Sequence, residues 1–192
     1  MAPPRTVVAI GASLGGIAAL RRVLGALPAH FPAAVLVVQH VDPRAPSRLA
    51  GVLASATPLP VRAATEGERM REGVVYVAPP DRHLRVNAAG ALRLTDEPLV
   101  NFVRPAADVL FASLADEFAA GVVAVVLTGR GGDGANGVAR VHRRGGVVIA
   151  QDPAGAMAAG MPESSIRTGA VDHVLALDEI APALVRLAEQ RA

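Results

Sequence analysis

The stretch "VVAIGASLGG", Val7–Gly16, runs from a wholly apolar segment straight into a glycine-rich turn. An unbroken run of β-branched and small apolar residues is the pattern of a strand buried on both faces, as in parallel sheets. A glycine turn directly after such a strand opens a strand–helix unit. Two readings of the turn compete. A dinucleotide fingerprint reads G-x-G-x-x-G, its middle glycine letting the backbone approach a pyrophosphate, with an acid near the end of the second strand for the ribose. Here Ser13 takes the middle position, and Gln39 and His40 stand at the end of the second apolar run, with Asp42 close by. The same residues fit G-x-S-x-G, a tight strand-to-helix turn that presents a serine hydroxyl. The helix that follows offers backbone N–H groups and a positive dipole end to a developing oxyanion.

Outward from this turn, strand-like and helix-like segments alternate. Thr6–Ile10 and Ala34–Gln39 read as buried strands, and Ile17–Ala26 between them as a helix, with Leu20, Val23, Leu24 and Leu27 at helical spacing. Pro46–Ser55 reads as a second helix. The rhythm then shortens: "PVRAA", "GVVYVAPP", "HLRVN" and "ALRLT" are brief, closely spaced strands, and "HLRVNAAGALRLT" predicts a hairpin turning at Ala88–Gly90. Helical character returns over Arg104–Ala119. Gly121–Thr128 is the longest buried strand, and the second glycine loop, "GRGGDGANG", feeds a helix over Ala135–Arg143. A strand in "GGVVIAQ", a short helix over Pro162–Thr168, a short strand in "HVLAL" and a closing helix over Glu179–Gln190 complete the chain. Repeated strand–helix units predict a mostly parallel, doubly wound sheet with helices on both faces and an antiparallel hairpin added, in one domain over residues 1–192.

Composition narrows the function. The chain has 192 residues, 52% of them apolar and 3% aromatic, so Val, Leu, Ile and Ala must fill the core. There is no cysteine, which excludes disulfides, thiolate catalysis and cysteine-held metals. All 19 strong positive charges are arginines, scattered along the chain and not interleaved with aromatics, so nucleic acid is not an expected partner. No apolar run reaches the ~20 residues that span a bilayer, and the expected location is the cytoplasm.

Ligands of open α/β sheets bind outside the carboxyl ends of the strands. Three chemically capable residues fall there: Ser13 after the first strand, His40 after the second, and Asp133 after the strand ending at Thr128. Each alone is the commonplace of a turn, a surface histidine or a helix cap. Together on one rim they are the ingredients of nucleophilic acyl transfer. Their chain order, Ser–His–Asp, differs from the α/β-hydrolase order, in which the acid precedes the histidine.

With "VLVVQHV", "VYVAPPDRHLRV", "RPAADVLFASLA", "VVLTGRGGDGANG" and "AQDPAGAMAAGMPESSI" added to the opening stretch, nearly the whole chain resembles the catalytic domain of the chemotaxis protein-glutamate methylesterases. The resemblance implies a three-layer α/β/α sandwich and hydrolysis of glutamate methyl esters on chemoreceptor helices, with deamidation of glutamines in many members. Carried over by position, it makes Ser13 the nucleophile, His40 the general base and Asp133 the acid that orients the histidine. Leu14 and Arg130 stand at positions the family associates with the oxyanion-stabilising region, backbone donors near Leu14 and in Gly129–Gly131 are candidate oxyanion binders, and Met161 either borders the cleft in the substrate region or packs. No metal or organic cofactor is implied.

The chain departs from the family where Leu14 replaces a threonine and where Arg130 replaces the methionine of a "TGMG" loop. The phosphorylatable receiver domain of familiar members has no counterpart before Val7. A chain complete as given would not be controlled by phosphorylation of an attached receiver, which leaves room for a separate regulatory protein. The rival expectations are a small-molecule carboxylesterase, a nucleotide-binding domain, and a non-catalytic receptor-binding module of the same fold.

Overall fold

The computed structural model describes residues 3–42 and 48–191. Seven strands form one parallel sheet: β1 (Val7–Ala12), β2 (Ala34–Gln39), β3 (Val61–Ala63), β4 (Val75–Val77), β7 (Val122–Val126), β8 (Val147–Gln151) and β9 (His173–Leu175). Their order is β3-β4-β2-β1-β7-β8-β9. From β1 the chain winds first towards β2, β4 and β3, then crosses back to β7 on the other side. The sheet therefore reverses its direction of growth beside β1, where a crevice opens at the strands' carboxyl ends. The predicted hairpin forms between β5 (His83–Val86) and β6 (Leu92–Thr95), as a separate two-stranded sheet.

The apolar strands are buried because helices cover both faces. Alternation along each strand sends Val8, Ile10, Val35, Val37, Val123 and Val125 into one core. There they meet Leu20, Val23 and Leu24 of α1 (Gly16–Gly25), Leu49 and Leu53 of α2 (Leu49–Ala54), and Ile180 and Leu184 of α6 (Leu177–Glu189). The neighbouring positions Val7, Ala9, Leu36, Val38, Ala124 and Val126 enter a second core. Its other wall is Leu110, Phe111 and Leu114 of α3 (Ala107–Phe118), Val138 and Val141 of α4 (Ala135–Arg143), and the hairpin's Leu84 and Leu92. The last helix on this side is α5 (Gly160–Ile166). This is a three-layer α/β/α sandwich.

Element boundaries differ from expectation in physically simple ways. α3 starts at Ala107 rather than Arg104, because Pro105 intervenes and Ala106 is extended (φ −114°, ψ 137°). α5 spans Gly160–Ile166, two residues earlier than expected, with Pro162 in its first turn, where a missing N–H costs nothing. α6 begins at Leu177, ahead of the predicted Glu179, because the Glu179 carboxylate reaches back to the Ala176 N–H (2.9 Å). The first residues of the helix expected from Pro46 lie outside the described segment, and its described part is Leu49–Ala54. No described helix is long and apolar enough to cross a membrane.

Candidate active site

Ser13, His40 and the loop of Asp133 leave three adjacent strands, β1, β2 and β7. Register does the positioning. Ala12 pairs with Gln39 across the parallel ladder, so Ser13 and His40 emerge side by side. The ladder runs on past the strands: Ser13 N–H donates to Thr128 O (3.0 Å), and His40 N–H to Ala12 O (3.0 Å). Gln39, almost fully buried, ties the two residues together. Its Nε2 donates to both Ser13 O (2.8 Å) and His40 O (3.0 Å). The turn closes with Gly15 left-handed (φ 79°), a conformation natural to glycine. α1 then begins at Gly16 under the half-buried Ser13.

His40 Nε2–H donates to Asp133 Oδ2 (2.7 Å). That bond occupies one ring nitrogen and leaves Nδ1 bare to take a proton. Asp133 is 2% exposed and accepts four hydrogen bonds. Oδ2 also takes the Ala107 N–H (2.6 Å), and Oδ1 takes the Asp108 N–H (3.1 Å) and Asn101 Nδ2 (3.0 Å). The carboxylate thus caps the start of α3, which has no side-chain cap from its own N-cap residue, Ala106. Burial, the largest influence, pushes the Asp133 carboxyl up. The bonds from His40, Ala107 and Asp108 outweigh it and hold Asp133 below the ordinary aspartate value, as an anion.

Asp108 accepts from Gly137 N–H at Oδ1 (2.7 Å) and from Asn101 Nδ2 at Oδ2 (2.8 Å). Burial, partly offset by these bonds, and the nearby Asp133 charge raise its carboxyl above the ordinary value. Asn101 lies on the segment between β6 and α3. This segment is pinned by His83, whose Nε2–H donates to Pro98 O (3.1 Å) while Nδ1 accepts from Ala106 N–H (3.2 Å). Nothing in the periodicity or motifs of the sequence singles out Asn101, because it sits on an irregular turn far along the chain from its partners.

Of the residues expected in the oxyanion or substrate region, three keep an unspent backbone donor. Among the described residues, the N–H groups of Leu14, Arg130 and Gly131 have no protein acceptor, and the Arg130 side chain is exposed. Two of these residues are otherwise engaged. The Gly129 N–H is already donated to Ala158 O (2.9 Å), so it is not free to bind an oxyanion. Met161 is fully buried in the second core beneath the turn and does not border the cleft. The two are nonetheless linked, since a Cβ at Gly129 would lie 2.2 Å from Met161 Sδ and 2.8 Å from Ser13 Cβ. Gly129→Ala is therefore expected to destabilise the protein by about 1–3 kcal/mol and to lower kcat by displacing Ser13. Urea denaturation together with a turnover assay checks both effects.

The nucleotide-binding alternative fits poorly with the same turn. Its middle position, where a pyrophosphate needs bare backbone, carries the Ser13 side chain, and Gly16 serves close packing, with Gln39 Oε1 2.1 Å from where a Cβ would be.

A doubly wound α/β protein with a serine, a histidine and a buried carboxylate at the ends of adjacent central strands belongs to the broad class of triad-bearing α/β folds. Comparison with known proteins narrows the class. Residues 8–184 match the family model described as CheB methylesterase. The chain belongs to this family. It is 47% identical over 183 residues to the protein-glutamate methylesterase/protein-glutamine glutaminase 3 of Anaeromyxobacter dehalogenans, covering 95% of this chain and 54% of that protein. It is 40% identical to the protein of the same activity name from Pyrococcus abyssi, covering 97% of this chain and 52% of the relative. The chain thus spans about half the length of the curated relatives it matches. The crystal structure of the Thermotoga maritima CheB methylesterase catalytic domain superposes with a TM-score of 0.91 at 39% identity, covering 95% of this chain and 98% of that one.

Proposed function

We propose that the chain is a methylesterase catalytic domain that hydrolyses glutamate methyl esters on chemoreceptor helices. Ser13 acts as nucleophile, His40 as base and acid, and Asp133 as the group that orients the histidine. The observation that carries this reading is the His40 Nε2–Asp133 bond beside Ser13, at the carboxyl ends of β2, β7 and β1. Family membership supplies the substrate class.

The geometry supports an ordinary acyl transfer. Ser13 Oγ attacks the ester carbonyl carbon while His40 Nδ1 takes the hydroxyl proton. Asp133 keeps the imidazole proton on Nε2 and stabilises the imidazolium. The carbonyl oxygen becomes an oxyanion, for which the N–H groups of Leu14, Arg130 and Gly131, left without a protein acceptor among the described residues, are the candidate donors. When the C–O bond breaks, the imidazolium proton leaves with methoxide as methanol. Water then attacks the acyl-serine, giving up a proton to His40, and the glutamate acid and free Ser13 result. The same cycle on a glutamine amide releases ammonia, in line with the glutaminase activity in the relatives' names.

A protein substrate, rather than a small ester, is favoured by the rim. Leu14 (43% exposed), Ile17, Leu99, Met157 and Phe102 (95% exposed) are apolar residues left in solvent. Leu14 and Ile17 line the hollow shared with Ser13 and His40, and Leu99 and Phe102 a second hollow beside His40. Single exposed apolar residues are normal, but a ring of them at a cleft mouth is the mark of a docking surface. The test is methanol release from methylated receptor and from a small glutamate methyl ester, in wild type and in Phe102→Ala. Phe102→Ala is expected to raise KM for the receptor several-fold more than for the small ester. Equal effects on both substrates, or faster turnover of the small ester by the unmodified domain, would favour a small-molecule esterase.

A further inference from the structure

Val100 and Val103 exchange backbone hydrogen bonds (3.2 and 3.1 Å), and Asn101 and Phe102 between them are both left-handed, at φ 52° and 63°. This is a two-residue hairpin turn of the kind that wants positive φ at both central positions. Asparagine suits the first; glycine is usual at the second. The pair turns in opposite directions. Phe102 stands out in solvent at the hollow beside His40, whereas Asn101 sends its amide inward. Its Nδ2 donates to Asp133 Oδ1 at 3.0 Å and to Asp108 Oδ2 at 2.8 Å. One neutral donor group therefore spans two buried carboxylates that would otherwise repel each other.

We infer that Asn101 is a positioning residue for the reaction: its amide, bridging Asp108 and Asp133, fixes the rotation of the Asp133 carboxylate at which Oδ2 grips His40 Nε2–H. The inference rests on the triad reading above and adds a fourth residue to it. The logic is that of filled acceptors. Asp133 Oδ1 is held by Asn101 and the Asp108 N–H, Oδ2 by the Ala107 N–H and His40. Removal of the amide frees one corner of the carboxylate, and the negative charge of Asp108 then pushes on it directly. Further charges near Asp108 lie on the other side, where Arg85, Arg140 and Arg143 line a groove between α3 and α4. Arg85 is paired with Glu97 (2.7 Å) and Arg140 with Asp116 (2.7 Å), and among the described residues the side-chain donors to Asp108 are Asn101 and, at 3.4 Å, Asn136, not these arginines.

The experiment compares Asn101→Gly and Asn101→Asp with wild type and Ser13→Ala. Glycine keeps the left-handed turn without strain and removes the amide. Aspartate keeps shape and tolerates the turn, but offers acceptors where donors are needed. The readouts are kcat and KM on methylated receptor, and the far-downfield proton resonance of His40 Nε2–H, which requires no turnover. Both variants are expected to lose about tenfold to a hundredfold in kcat with KM within about twofold, aspartate at least as much as glycine, and to displace or broaden the imidazole resonance. Asn101→Asp with wild-type kcat, or kcat losses with an unchanged resonance, would overturn the inference by showing a space-filling role. Turnover retained in Ser13→Ala would instead remove the triad reading, while the resonance still reports on the link from Asn101 to Asp133.

Discussion

Ser13→Ala is expected to reduce methanol release from methylated receptor by about 10⁴- to 10⁶-fold, the loss typical when the nucleophile is removed from residues that act as a unit. The fold is expected to survive. Ser13 is half-buried, and the bonds that shape its turn are backbone bonds or come from other side chains. Ser13 N–H reaches Thr128 O, Gly16 N–H reaches Ser13 O (2.8 Å), and the Gln39 amide holds Ser13 O. None of them needs the hydroxyl. Stability is therefore expected to stay within about 0.5 kcal/mol of wild type, measured by denaturant unfolding. Loss of activity with the fold intact is what separates a chemical role from a structural one. A Ser13→Ala protein that still releases methanol at the wild-type rate would mean that a water molecule activated by His40, or some other residue, attacks the ester. The substrate class would then stand on family membership without the proposed mechanism.

The parts of this site that were legible in the sequence are those fixed by strand ends. Buried runs such as Val7–Ala12 and Val122–Val126 announce themselves by composition, and residues just beyond them fall at the carboxyl edge of the sheet whatever the helices do. That rule points to Ser13, His40 and Asp133; of the three side chains, the structure brings His40 and Asp133 into direct contact. The rule has no purchase on residues that reach the site from irregular backbone. Asn101 enters from a two-residue turn whose position depends on His83, on Arg104 and on the start of α3. Arg104 holds the turn's base through the carbonyls of Asp96 (2.8 Å) and Glu97 (2.9 Å). Gly129 and Met161 show the converse. Both lie in the right segment of chain, yet the hydrogen bond from Gly129 N–H to Ala158 and the burial of Met161 give them supporting work beneath the cleft. A sequence can say which loop arrives at a site. Which backbone donors in that loop are already spent depends on what the loop packs against.

Asp133→Asn is expected to damage activity and stability together, because the carboxylate serves both. Its two oxygens accept from four donors, two on each. An amide in the same place has only one acceptor oxygen, so in either orientation its NH₂ faces two of those donors. If the NH₂ points at His40 and Ala107, the imidazole is driven to the tautomer with its proton on Nδ1, the nitrogen that must accept the Ser13 proton. If it points at Asp108 and Asn101, the tautomer is kept, but the charge that stabilises the imidazolium is gone. Loss of tautomer and charge at this position costs about 10³- to 10⁴-fold in kcat in serine hydrolases. The start of α3 loses an acceptor in both orientations, worth about 2 kcal/mol at neutral pH. The pH dependence supplies a sign that loss of packing would not. The folded-state value of Asp133 lies below its unfolded value, so its contribution is fully present above the ordinary aspartate range. It fades as pH falls through the depressed folded value, once the carboxylate is protonated in both states. The stability gap between wild type and Asp133→Asn should therefore be widest near neutrality and narrow below about pH 4. Asp108, raised chiefly by burial, works in the opposite sense in both proteins, and less so in the variant, where the Asp133 charge that helps to raise it is gone. A gap that stays constant from neutral pH into acid, or wild-type kcat in the variant, would mean that Asp133 neither anchors α3 as an anion nor serves the histidine.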